Sequence, residues 1–130
     1  MLKPGWQFID SKRRAETHPK TWAHPANELK SRIGERYYIK VGVERKDMQG
    51  PPGERFWAQV ETVVGDSFVA KVNQDLLIDH GVEDGEIITV QFKHIFGILD
   101  PNGGSIWEAM TQRPRFRTAT FGTNNNQFTN

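Results

Sequence analysis

Between residues 36 and 99 the chain alternates apolar and polar side chains in short runs separated by turn formers, the spacing of half-buried strands. In the first run, residues 36–44, Tyr37, Ile39, Val41 and Val43 share one face, with Tyr38, Lys40 and Glu44 on the other. In the second, residues 54–61, Phe56, Ala58 and Val60 point one way, and Trp57, Gln59 and Glu61 the other. Gly65-Asp66 predicts a tight hairpin, because glycine tolerates the positive φ of primed turns. The third run, 67–72, then continues the inward row with Phe68, Ala70 and Val72, and the fourth, 86–92, with Ile88, Val90 and Phe92. A helical turn at Lys93-His94 leads to a closing strand over 95–99 that places Ile98 in the core, and Asp100-Pro101-Asn102-Gly103-Gly104 ends the block. Short strands with tight connections bury a core by curling over themselves. The pattern therefore predicts a mainly β fold, a small SH3-like or partly open β-barrel at residues 36–100.

The flanks read differently. Residues 1–25 predict an irregular arm, since Pro4-Gly5, His18-Pro19 and His24-Pro25 each discourage helix. Trp6, Phe8, Ile9 and Trp22 are its apolar anchors. A short helix is expected over residues 25–33, where Leu29 and Ile33 are spaced i, i+4 and Gly34 is a natural stop, so 1–35 forms an arm with a short N-terminal helix. Residues 45–53 predict a loop, because Gly50-Pro51-Pro52-Gly53 disfavours an ordered strand. Residues 73–85 predict another, with one buried rung at Leu76-Leu77-Ile78. Ser105 as N-cap with Glu108 in the capping-box position predicts a second short helix over 105–110, opening a C-terminal helix and basic arm at 101–130.

Charge changes the picture. The formal net charge of +1 hides a segregation: residues 1–33 hold seven Lys/Arg and three Asp/Glu, residues 34–112 seven and thirteen, and residues 113–130 three and none. An acidic β-domain thus lies between two basic arms. Two readings are open: the arms pair with their own domain, or they reach a polyanion or an acidic partner. Cysteine is absent, which excludes disulfides and thiolate metal sites. No apolar run approaches the roughly 18 residues of a membrane span. Lys3, Lys12, Arg13 and Arg14 precede no apolar signal core. A soluble, cytoplasmic protein with no membrane association is expected.

Candidate chemistry is sparse. His18, His24, His80 and His94 match no common zinc spacing and read as solvated or backbone-bonded, although Asp79-His80 offers a ligand or base. Asp75, Asp79, Glu83, Asp84 and Glu86 form an acidic cluster without EF-hand spacing, read as a solvated loop face. Tyr38 and Trp57 fall opposite the inferred core and Trp107 beyond it. Exposed aromatics on small barrels stack bases or grip peptides; the competing reading has the two arms cover these rings as a second small core. In Arg113-Pro114-Arg115-Phe116-Arg117 an extended chain sets three guanidiniums on one side, with Pro114 and Phe116 on the other, suited to phosphates or carboxylates.

The segments 53–60 (Gly-Glu-Arg-Phe-Trp-Ala-Gln-Val), Gly65-Asp66, Asn73, His80-Gly81 and 85–90 (Gly-Glu-Ile-Ile-Thr-Val) resemble an uncharacterised bacterial family, domain of unknown function twenty-three-fourteen. Its members carry a similar "ERFW" strand followed by a "G-D-x-V-x-F" strand. The likeness covers residues 37–98, and the chain departs from the pattern at Glu86, where aspartate is usual, and in its basic C-terminal arm. The resemblance implies a compact β-rich fold and no particular reaction; a bacterial or phage source is expected.

These features predict a non-catalytic protein-interaction module of the inhibitor, immunity or assembly type, with no catalytic residues, no metal and no cofactor. Its binding residues are expected to be Tyr38, Trp57, Trp107, Arg113, Arg115, Phe116 and Arg117. A protein partner is expected, with nucleic acid as the alternative and a homo-oligomer allowed. The competing functions are a nucleic-acid-binding small β-barrel and a metal-dependent hydrolase built on Asp79, His80 and neighbouring carboxylates.

Overall fold

The structure, a computed structural model, describes residues 1–108; for residues 48–52 and 108 it describes the backbone alone. Seven antiparallel strands form one open sheet: β1 (Trp6–Phe8), β2 (Tyr38–Arg45), β3 (Met48–Val64), β4 (Ser67–Val72), β5 (Ile87–Gln91), β6 (Gly97–Leu99) and β7 (Ser105–Glu108). One α-helix, α1 (Ser11–Thr17), and two 3-10 turns, Asn27–Arg32 and Phe92–His94, complete the described elements. The sheet order is β5-β4-β3-β2-β6-β7, with β1 also paired to β2. Strands β2 to β5 run as a meander, and the Phe92–His94 turn sends the chain back so that β6 pairs with the first strand of that meander. This is a mainly β, partly open barrel-like fold, as the alternation predicts.

All twelve residues expected inside are buried: Ile39, Val41, Phe56, Ala58, Val60, Phe68, Ala70, Val72, Ile88, Val90, Phe92 and Ile98. Val43, Ile33, Val82 and Ile95 join them in one cluster. The hairpin at Gly65-Asp66 is also present, with Gly65 at φ 58°. Lys93-His94 does fall in a helical turn.

Four local expectations are overturned. Residues 1–25 are not irregular, because Trp6–Phe8 pairs with residues 43–45 of β2 and Asp10 caps α1 by accepting the Arg13 N–H. A side-chain cap and an open sheet edge outweigh the flanking prolines. The 25–33 helix is instead a short 3-10 turn, Asn27–Arg32, whose N-cap Ala26 offers no side-chain cap. Residues 45–53 are not one loop: only Lys46-Asp47 turn, and β3 starts at Met48, pairing with β2 across a register shift in which Gly53 and Met48 face the consecutive Glu44 and Arg45. The prolines are accommodated because the β2–β3 ladder is interrupted there. Residues 105–108 form β7 against β6 rather than a capped helix, since the unpaired edge of β6 satisfies backbone groups over the whole segment. The expected rung at Leu76-Leu77-Ile78 is only half-buried at Leu76 and Ile78, while Leu77 is 92% exposed. Among the described residues no helix is long and apolar enough to cross a membrane.

Candidate functional site

Strand β2 is buried on both faces, which decides where the sequence-predicted aromatics end up. Its inner row is Ile39, Val41 and Val43; its outer row, Lys40, Gly42 and Glu44, is equally covered. The cover is the N-terminal segment. Ile9 packs against Gly42 so closely that a Cβ there would lie 2.8 Å from the Ile9 Cδ1. Trp22 sits against Phe96 at 4.9 Å between ring centroids, with the Arg14 and Arg55 guanidiniums 5.3 and 5.0 Å from its ring. The Lys40 Nζ lies 5.5 Å from the Trp57 ring. Tyr38 and Trp57 share this outer face, one diagonal apart in the register, and both are half-buried. Trp107 is half-buried on β7 opposite Ile98. Tyr38 and Trp57 thus lie on the covered outer face, whereas Trp107, opposite Ile98, lies on the other. Arg113, Arg115, Phe116 and Arg117 lie outside the described residues.

The basic N-terminal segment turns its charge onto the acidic domain. Arg14 meets the Glu44 carboxylate at 2.5 Å, and Gln7 donates to the other oxygen at 3.1 Å. The Glu44 residue is 2% exposed, so this pair is desolvated and demanding. Lys3 pairs with Asp79 and Lys30 with Asp66, each at 2.6 Å, on the surface where such pairs contribute little. The Lys30 ammonium, by hydrogen bond and by charge, lowers the Asp66 carboxyl below the ordinary carboxylate range.

Sequence reasoning missed a buried hub. His80 is fully buried, not solvated, and its Nε2 lies 2.9 Å from the Glu54 carboxylate. Val82 donates its N–H to His80 Nδ1 at 3.2 Å, which leaves Nε2 to carry the ring proton toward Glu54. The same carboxylate accepts the Leu77 and Ile78 N–H groups at 2.7 and 3.1 Å. Trp6 meets the imidazole edge-on at 5.7 Å and Phe56 stacks at 6.4 Å. The signal was present in the alternation. Glu54 has the parity of Phe56, Ala58 and Val60, and a carboxylate on a core row needs a buried partner. Its donors are all engaged with the 77–82 loop, so its evident work is to anchor that loop.

Two further histidines hold the covering segment. The Ser11 hydroxyl accepts the Trp22 indole N–H at 3.1 Å and contacts His24 Nδ1 at 3.0 Å. His24 Nε2 is buried without a hydrogen-bond partner, although the Ile95 carbonyl is near enough to favour the charged ring. Desolvation dominates and lowers the His24 pKa. His94 accepts the Gln91 N–H at Nδ1 (3.0 Å) and is likewise lowered, first by desolvation and then by the Lys93 charge.

No protein-family model, no curated protein and no solved structure matches the chain. Function therefore rests on the surface itself. Among the described residues no three His, Cys, Asp or Glu are grouped to hold a metal.

Two surface features stand out. The first is the free edge of β5. Residue pairs 67/91 to 71/87 match β4 to β5, and the Val72 N–H bonds the Glu86 carbonyl at 2.8 Å. By antiparallel alternation Ile88 and Val90 bond β4, while Ile87 and Thr89 turn their N–H and C=O outward. No described strand lies beside them. Ile87 is 47% exposed, and Val64, at the other end of this sheet face, is 60% exposed. The second feature is a charged cleft of ≈ 700 Å³ between β1, α1 and the Phe92–His94 turn.

Proposed function

We propose that the protein is a cytoplasmic protein-interaction module, of the inhibitor, immunity or assembly type, that acts by binding rather than by catalysis. Its docking element is the free edge of β5, which takes an extended segment of a protein partner as an added strand. The observation that carries this reading is the character of that edge. Natural sheets blunt free edges with charge, proline or bulges, whereas Ile87-Ile88-Thr89-Val90-Gln91 contains none of these. The turn before it exposes Glu83 and Asp84, so the favoured partner strand carries β-branched residues and a basic residue at that end. The outer aromatics do not favour base stacking, because Tyr38 and Trp57 are half-buried on the covered face.

Thr89→Pro tests the proposal, since it removes only an outward-facing N–H. Capture of a partner from nuclease-treated lysate should disappear in this variant while its circular dichroism and urea midpoint stay near those of the parent. Capture unaffected by Thr89→Pro, or lost on nuclease treatment of the parent protein, overturns the reading.

A further inference from the structure

The geometry points to a ligand site in the charged cleft: it is built to hold a small organic oxyanion whose phosphate or carboxylate head meets Arg13 and Lys93. This site is separate from the β5 edge and does not depend on it. The floor is the Arg14–Glu44 pair, closed by Gln7. Those three side chains satisfy one another, so the floor is neutral and fixed.

The rim is not neutral. Arg13 and Lys93 both line the cleft, and neither has a carboxylate partner among the described residues. Asp10 is the one opposing charge left, and its Oδ1 is occupied by the Arg13 backbone N–H at 2.9 Å. Thr17 and His18 are committed to each other at 2.8 Å. His94, with Nδ1 accepting from Gln91, leaves its Nε2–H as a neutral donor in the lining. Two cations and one donor against a single half-engaged carboxylate favour an anion. Phe8, tilted at 6.0 Å from the His94 ring, supplies an apolar wall. The volume, ≈ 700 Å³, falls within the range of small-molecule sites and exceeds what an inorganic ion fills.

His94 is a built-in reporter. Burial and then the Lys93 charge hold its pKa down, with Asp10 acting weakly the other way. An anion beside Lys93 offsets that charge and moves His94 upward.

The test is a titration of the full chain at about pH 7.5, followed by amide and histidine NMR at fixed ionic strength. The probes are inorganic phosphate, phenyl phosphate and benzoate, the last two separating a phosphate from a carboxylate head. The expected result is saturable shifts centred on residues 13–18 and 93–94. An aromatic probe should bind more tightly than inorganic phosphate, and the His94 pKa should rise in its presence. Arg13→Gln and Lys93→Gln should each weaken binding about tenfold, the loss of one charge-assisted contact. Thr89→Pro should bind as the parent does. Shifts that stay linear to about 50 mM, or charge variants that bind as tightly as the parent, overturn the assignment.

Discussion

Glu54 and His80 stand 26 positions apart in the chain and 2.9 Å apart in the fold, and the imidazole is wholly buried. The pair ties β3 to the loop that leads into β5, because the same carboxylate also holds the Leu77 and Ile78 amides. Glu54→Ala leaves three donors unsatisfied and should cost about 2–4 kcal/mol. Glu54→Gln keeps one acceptor oxygen and should cost clearly less. Urea unfolding of the two variants checks the order, and equal losses would show that the charge and the second acceptor oxygen carry the whole contribution.

The Arg14–Glu44 pair makes a sharper demand. Arg14→Ala strands a carboxylate that is 2% exposed and should destabilise the protein by about 3–5 kcal/mol. Removing both partners should cost far less than the sum of the single changes. A double-mutant cycle in urea reads that coupling directly, and additivity within about 0.5 kcal/mol would contradict it.

Acid should loosen the covering segment. His24 and His94 both have lowered folded pKa values, with desolvation the leading cause. Above about pH 6.5 both folded and unfolded chains hold them neutral, and their contribution is fully present. Below that, the unfolded chain takes up protons first, so stability falls until the pH passes each folded pKa. His24→Asn with His94→Asn retains an acceptor near each Nδ1 position and should flatten the melting temperature between about pH 6.5 and 5. An unchanged slope in the double variant would assign the acid sensitivity elsewhere.

Glycines 81 and 85 separate strain from contact. Both have positive φ, 102° and 88°, but only Gly81 is crowded: a Cβ there would lie 2.1 Å from the Met1 carbonyl oxygen. Gly85→Ala should cost about 1 kcal/mol from conformation alone. Gly81→Ala must also displace the first residues, including the Lys3 N–H bond to the His80 carbonyl, and should cost at least twice as much. Thermal melts of the two variants decide the comparison.

Much of the barrel was legible because its strands are buried on one side and alternate cleanly, as in Phe56, Ala58 and Val60. Legibility failed where tertiary contacts supply the reason for structure. Trp6–Phe8 carries too short a pattern to read as a strand until an edge of β2 is there to pair with it. Residues 105–108 hold a plausible helix cap, and the β6 edge outcompetes it. Lys40 and Glu44 looked solvent-facing because alternation cannot show that a second layer lies above them. The expected site divided accordingly. Tyr38 and Trp57 do share a face, but the cleft gathers residues 7–18, 44 and 93–94, which no local spacing connects.

The pairing of β2 sets an order of events during synthesis. Its neighbours are β3, which follows at once, and β1 and β6 on the opposite flank, the latter ending at residue 99. A nascent chain can zip the β2–β5 meander early, yet Lys40 is not enclosed until Phe96 and β6 have left the ribosome. Joining ends so distant carries a loop-closure penalty, so this last step should be slow and should lag behind hairpin formation. Until it happens, the growing polypeptide presents an unfinished strand edge of its own, the stage at which a chaperone has most to gain by holding it.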